Sequence, residues 1–278
     1  MFQKGIIVVV TLLSAATVQA QYYYKDIVSN RMAKSEMDSF RAHQITKVQV
    51  HSFEGDGAGS EGFTCVRKIQ NKYQFIETEI ETMGTGKSWL TTRYSADGWL
   101  LESSDSSEQA ITRNTYTYDA QQRLDKVYTI ASSSDDDFHT SLTELHQYKY
   151  SEKGLPEKMI LVKNGKDTTE IFFLADNLGN ITDEIELKKG GRHYYYYYNA
   201  TNRLTDIVKF NVVKNKLLPD FIFTYDEDGR VVQLVAVDDG ISGNYVTWYY
   251  TYNDGLKIIE KCYSKENKLL GYVEYEYN

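Results

Sequence analysis

At 278 residues, with 41% hydrophobic and 25% charged residues, the chain is long enough for one large or two ordinary domains with a buried core. Its formal charge of −8, which becomes −9 when Lys4 leaves with a leader, excludes the basic face that nucleic acid or anionic lipid requires. The chain has 24 Tyr and only 2 Pro, and Ala and Leu do not dominate, so the composition reads as all-β.

Residues 1–20 read as a signal peptide. Lys4 gives the positive start, Ile6 to Leu13 a short apolar run, and Val18-Gln19-Ala20 small residues before a cut between Ala20 and Gln21. That run is too short for a spanning helix, and no later stretch approaches the ~18 apolar residues a span needs. No Cys follows the cut, which excludes a lipoprotein anchor there. The expectation is a secreted protein, periplasmic or at the cell exterior, with no membrane span.

Residues 21–87 read as an N-terminal cap and an irregular β region. Met32, Ala33, Met37 and Phe40 have helical spacing within Ser29 to Gln44, with Ser29 as the cap, and such a helix would cover the first edge of a sheet. Lys47 to Phe53 alternates, Glu54 to Gly62 is a loop, and Tyr73 to Glu81 alternates apolar with acidic residues. Gly84-Thr-Gly-Lys-Ser88 resembles the tail of a phosphate loop, but Glu81 stands where that motif needs Gly and a strand sequence follows, so a hairpin turn is the better reading.

Residues 88–278 are one unit copied. Its turn-preceding anchors are Tyr94, Tyr118, Tyr150, Ala175, Tyr198, Tyr225, Tyr252 and Tyr277, at spacings of 24, 32, 25, 23, 27, 27 and 25 residues. Most anchors have another aromatic two positions earlier, which places both rings on one strand face. About four Asp-, Asn-, Ser- or Gly-rich residues follow and make a tight reversal, with Gly98, Gly154, Gly179 or Gly229 at the fourth place. The return strand starts six places after the anchor, as at Leu100, Leu124, Ile181, Leu204, Val231 and Ile258. A further apolar position lies at nine, so either a bulge intervenes or both faces are partly covered. The expected fold is all-β: repeated antiparallel hairpins forming an extended or curled sheet with a short N-terminal helix or cap. No linker separates 21–87 from 88–278, so they make a single domain. The last stretch, Tyr275-Glu-Tyr277-Asn278, reads as an outer edge that Glu protects from aggregation.

The unit Tyr-x-Tyr-Asp-x-x-Gly-Arg-Leu resembles the YD repeat of RHS and teneurin-type proteins. Tyr225, Asp226, Gly229 and Arg230 match it best, followed by Tyr118, Asp119, Arg123 and Leu124. The resemblance covers about Ser88 to Asn278. It implies hairpins that spiral into shells, and among family members it is closest to short secreted YD-like proteins of Gram-negative bacteria, for which architecture and surface location are implied but no activity. The chain departs from the family in having few, degenerate units and no toxin-like extension after them.

Chemistry is sparse. The five His show no metal-ligand spacing; His139 and His146, near Asp135 to Asp137, could make a surface metal site and Asp226 to Gly229 could hold a weak Ca²⁺, although turn geometry alone explains the latter, and no metal or other cofactor is expected. Paired carboxylates for glycoside hydrolysis could come from Glu77, Glu79, Glu81, Asp183, Glu184 or Glu186, although alternating Glu is normally a strand's solvated face. Cys65 and Cys262 make either one disulfide or two buried free thiols, and a bridge requires a sheet that returns on itself. In Tyr194 to Tyr198 and Trp248 to Tyr252, alternation turns Tyr195, Tyr197 and Tyr249 away from the face of their neighbours. These rings would form an outer aromatic ladder suited to a protein or glycan partner, or simply cross-strand packing. The expected function is a non-enzymatic binding or scaffold module of unknown oligomeric state. The rivals are an envelope hydrolase and a purely structural adhesin-like component.

Overall fold

The computed structural model describes residues 22–133, 141–237 and 243–278; the signal peptide with its cut, and His139, lie outside them. One helix, α1 (Lys25–Ala42), is followed by eighteen strands. The first six are β1 (Lys47–Glu54), β2 (Thr64–Gln70), β3 (Phe75–Thr82), β4 (Gly86–Tyr94), β5 (Leu100–Ser107) and β6 (Ala110–Tyr118). Next come β7 (Leu124–Ser133), β8 (Ser141–Tyr150), β9 (Pro156–Lys163), β10 (Asp167–Ala175), β11 (Ile181–Glu186) and β12 (His193–Tyr198). The last six are β13 (Leu204–Asn211), β14 (Lys216–Tyr225), β15 (Val231–Val237), β16 (Tyr245–Asn253), β17 (Leu256–Ser264) and β18 (Leu269–Tyr277).

Each strand pairs antiparallel with its sequence neighbours, and β18 pairs with β1 from Val48↔Tyr277 to Glu54↔Gly271. The sheet is therefore a closed up-and-down barrel, not the expected extended or curled sheet, and Tyr275 to Tyr277 form a seam, not an edge. An even number of alternating strands presents the first and last in antiparallel directions, so closure needs no crossover. Close approach at the seam needs glycine. A Cβ on Gly271 would stand 2.8 Å from the Phe53 carbonyl oxygen, and one on Gly55 2.3 Å from that of Leu269.

Closure does not join the cysteines. Cys65 on β2 and Cys262 on β17 stay three strand spacings apart, about 14 Å, and a disulfide needs Cα atoms within about 7 Å. Both are buried free thiols, which corrects the bridged alternative.

The turn unit explains the repeat. Asp119 Oδ1 accepts the backbone N–H of Gln121 and of Arg123, both at 2.9 Å, while Oδ2 holds Arg123 Nε at 2.7 Å. Asp226 does the same for Arg230 at 2.8 Å (backbone) and 2.7 Å (Nε). The fourth turn residue is left-handed, with φ of +89° at Gly229 and +58° at Asn202. A bulge then follows: Thr117 pairs with Lys126 but Tyr118 with Leu124, which restores Leu124 and Val127 to one inward face. From Tyr118 on, each anchor hydroxyl reaches back to the preceding hairpin. Tyr118 donates to the Leu100 carbonyl, Tyr150 to Leu124, Tyr198 to Ile181, Tyr225 to Leu204 and Tyr252 to Val231, at 2.6–3.0 Å. Tyr277 donates to Lys257, not to a residue at place six, because the turn before it is one residue shorter. The turn Arg of one unit also covers the anchor ring of the next: Arg123 over Tyr150 at 4.4 Å, Arg203 over Tyr225 at 5.9 Å and Arg230 over Tyr252 at 5.3 Å.

The inner wall is apolar and forms two cores with α1. Tyr23 and Ile27 pack among Leu124, Tyr148, Met159, Phe173 and Tyr194; Ala33, Met37 and Phe40 pack among Val48, Ile69, Ile76 and Leu100. The helix begins at Lys25, ahead of the expected Ser29, and has no local side-chain cap. It does not cover a sheet edge. Its start touches β8 and β11, Asn30 donates to Tyr118 at 2.7 Å, and Phe40 meets Tyr277 on β18. Because β8 and β18 lie on opposite arcs of the ring, α1 crosses the barrel from wall to wall at the end that carries the Asp-containing turns.

Candidate functional site

Inside the barrel several titratable groups seat α1, while Glu260 instead accepts the Tyr275 hydroxyl at 2.8 Å on the wall. Glu184, 2% exposed, accepts the Tyr23 N–H on both oxygens and the Tyr24 N–H, each at 2.8 Å, and the Tyr196 hydroxyl at 2.8 Å. It is a helix cap delivered from 160 residues away in sequence. Burial outweighs those bonds and pushes its carboxyl up to about 7. His146 lies between Asp26 at 2.5 Å and Glu144 at 2.6 Å. Burial alone would lower its pKa, but the two carboxylates dominate and raise it to about 9, while the hydrogen bond from His146 brings Glu144 down to about 2. Further along, Arg67 grips Glu36 on α1 through two bonds of 3.0 and 3.1 Å. Glu186 receives the Arg192 backbone N–H at 3.1 Å and pairs with Lys188 at 2.7 Å. His146 is thus a lumenal anchor, not a surface ligand, and no cluster of three or more ligating side chains occurs among the described residues.

The other candidate carboxylates face away from these. Glu77, Glu79 and Glu81 line the outside of β3, where Lys68 and Lys87 pair with them at 3.2–4.0 Å. Asp183 holds His193 at 2.8 Å, also outside. Cross-wall pairs such as Arg113–Glu102 at 3.8 Å make much of the outer wall charged at mid-strand. Gly84 to Ser88 is the expected hairpin turn, with Thr82 paired to Gly86.

The exception lies on the wall between β12 and β17. Among the eighteen strands, β12, β15 and β16 alone contain no Asp, Glu, Lys or Arg. Tyr195, Tyr197 and Tyr249 sit on the outside of β12 and β16; Tyr197 is 48% and Tyr249 41% exposed, and Tyr195 is half-buried. They do not form one ladder, because four strand spacings, about 19 Å, separate β12 from β16. Tyr195 stacks on His193 at 4.0 Å, and Tyr249 meets Tyr263 edge-on at 5.5 Å. Between them runs a mostly apolar row: Tyr195 pairs with the buried Val208, Val208 with Pro219, and Ile222 with Val235, which pairs with Thr247; Asp206, the register partner of Tyr197 and Ile222, flanks it.

Beside Tyr249 the row deepens into an open groove of about 510 Å³, a size usual for small-molecule sites. Pro219, Ile222, Val235 and Val237 give it an apolar floor; Gln233, Tyr245, Thr247, Tyr249, Ser264 and Asn267 give it polar and aromatic walls. Among the described residues, the side chains of Gln233, Tyr245, Thr247 and Tyr249 have no hydrogen-bond partner. Lys265, the one charged residue among the described lining residues, is bound to the Gly243 carbonyl at 2.9 Å. Of the groove residues, only Tyr249 stood out in the sequence. The lack of charge across β15 and β16 was a signal available there.

No known family profile matches the chain. No curated protein matches it either. Among solved structures, the TcdB2-TccC3-TEV crystal structure is 12% identical over 79% of this chain and 12% of that one, with a TM-score of 0.34. A porin-like protein from Bacteroides uniformis is 10% identical over 84% of this chain and 98% of that one, with a TM-score of 0.30. Another, from Bacteroides vulgatus, is 13% identical over 84% and 98%, with a TM-score of 0.31. The chain spans about 12% of the TcdB2-TccC3-TEV chain it matches.

Proposed function

We propose that this is an exported, water-soluble, non-enzymatic binding protein: YD-type hairpins closed into a barrel that presents the wall between β12 and β17 to a partner. The observation that carries the reading is the groove, where hydrogen-bonding side chains without protein partners stand over an apolar floor on a wall that is otherwise rich in ion pairs. Solubility is supported by the placement of charge. A membrane barrel needs an outward apolar band about 25 Å tall, whereas here Glu79, Glu102 and Arg113 interrupt the outer wall and the two buried apolar cores lie inside. No described helix is long and apolar enough to cross a membrane, which by itself says nothing of strands.

Binding is favoured over glycoside hydrolysis because Glu184 and Glu186, the two candidate carboxylates that share the interior, are held by the α1 backbone, Tyr196, Arg192 and Lys188, which leaves neither available for proton transfer. The test immobilises the protein and challenges it with bacterial envelope and extracellular-matrix extracts. Wild type should retain material, and Val235→Glu, which places a carboxylate on the groove floor, should retain at most about a tenth as much. Equal retention by the two would remove this wall as the binding face.

A further inference from the structure

We infer that the ligand of the outer groove is a neutral glycan chain, an inference that rests on the groove being the binding face. The first argument is the match of hydrogen-bonding character. Gln233, Thr247, Asn267 and the hydroxyls of Tyr245 and Tyr249 each both donate and accept. Such side chains complement a ligand whose own groups do both, as sugar hydroxyls do. An anionic ligand calls for Lys and Arg forks, and a cation for carboxylates. Among the described lining residues the single lysine is already bound to Gly243, and none is acidic.

The second argument concerns the apolar surface. Tyr249 meets Tyr263 edge-on, stays partly exposed and lines the groove together with Val235 and Ile222. A rigid amphipathic ring of this kind suits the C–H face of a pyranose, whose rim is polar and whose faces are not.

The third argument excludes the main competitor. An extended peptide is captured most simply by adding a strand to a free sheet edge. This barrel is closed by the β1–β18 seam and has no such edge. The ligand is also longer than one sugar. A mostly apolar row, flanked by Asp206, continues from the groove over Pro219 and the buried Val208 to Tyr195, about 19 Å from β16 at the usual strand spacing.

The test is native affinity electrophoresis in gels containing neutral glucans, mannans and xylans, with polygalacturonate as the anionic control. At least one neutral polymer should retard the wild type, and the retardation should persist in high salt. Tyr249→Ala and Tyr245→Ala should each weaken binding about tenfold, with unfolding midpoints unchanged because both rings lie outside the core. Tyr195→Ala should weaken binding of the polymer but not of its short oligosaccharides. Retardation by polygalacturonate alone, by no polysaccharide, or undiminished in Tyr249→Ala would overturn the inference. Material retained from extracts separates this failure from that of the binding face. If Val235→Glu abolishes retention and the retained material is destroyed by protease but survives periodate, the face stands and the glycan falls. If Val235→Glu retains everything, the face itself falls.

Discussion

Replacing Glu184 with Gln leaves a carbonyl oxygen facing the Tyr23 and Tyr24 amides but removes the buried charge. In the folded protein this carboxyl titrates at about 7, against an ordinary value of 4.5. A folded pKa above the unfolded one means that the protonated form is the one the fold prefers. The contribution is therefore full below about pH 4.5 and is lost as pH rises through 7. Over pH 5 to 8 that loss amounts to roughly 2–3 kcal/mol. Gln cannot ionise, so it escapes this loss. Its amide N–H₂ must instead face donors such as the Tyr196 hydroxyl, at a cost of about 1 kcal/mol at every pH. The expected result is a crossing: the variant is less stable than wild type by about 1 kcal/mol at pH 5 and more stable by about 1–2 kcal/mol at pH 8. Urea unfolding followed by Trp and Tyr fluorescence at both pH values measures the difference, in which all other titrations cancel. A difference that stays constant from pH 5 to 8, or that moves against Gln, would refute the placement of a buried, destabilised carboxylate under α1.

His146→Asn should strip Asp26 of its cation, leave Glu144 with only Lys163, and cost about 3 kcal/mol at neutral pH. The raised pKa of His146 makes its contribution full below 6.5 and lost as pH rises through about 9, so the gap measured by urea unfolding should shrink across that window. Tyr225→Phe, which removes only the hydroxyl bonded to Leu204, should lower stability by about 1 kcal/mol, and Asp226→Ala, which releases the turn amides and Arg230 together, by more. Gly271→Ala should destabilise the barrel by about 1–3 kcal/mol because its Cβ would press on the Phe53 carbonyl at the seam. Cys65 and Cys262, buried and pushed up to about 11, should react with a thiol reagent only on unfolding, and the protein should run identically on reducing and non-reducing gels.

What the sequence made legible is local. The anchors, the Asp- and Gly-bearing reversals and the choice between a bulge and two covered faces were all readable, because each follows from residues within one hairpin; the bulge between Thr117 and Tyr118 is the answer to the parity problem at Leu124 and Val127. The closed ring was not readable, since pairing β18 with β1 joins residues more than two hundred positions apart through backbone groups that any sequence supplies. The helix start was missed for a related reason: its cap is a carboxylate on β11, while Ser29 looked like a cap only because caps are usually local. Alternation along one strand is enough to turn Tyr195, Tyr197 and Tyr249 away from their neighbours, yet the groove beside Tyr249 needed register to be seen. Ile222, Val235 and Thr247 are ordinary strand residues until they are aligned in one row.

That division bears on where function is written in such a chain. Every element that defines the repeat is consumed in building it. The anchor hydroxyl is bonded to the previous hairpin, the turn Asp to its own backbone and Arg, and the Arg to the next anchor ring. Most inward positions fill the two cores or hold α1. Only the outward positions of each strand are free of these duties, and on most strands they carry the charges that keep the wall wet. A stretch where outward charge is withdrawn from β15 and β16 while Tyr245 and Tyr249 remain exposed or half-exposed therefore has no counterpart in the repeat and no role in closure. Bare aromatic surface facing water is a liability for a soluble protein unless something covers it. The same withdrawal of charge that weakens solubility there is what a neutral ligand requires, so variants that restore charge at Val235 should gain solubility as they lose binding.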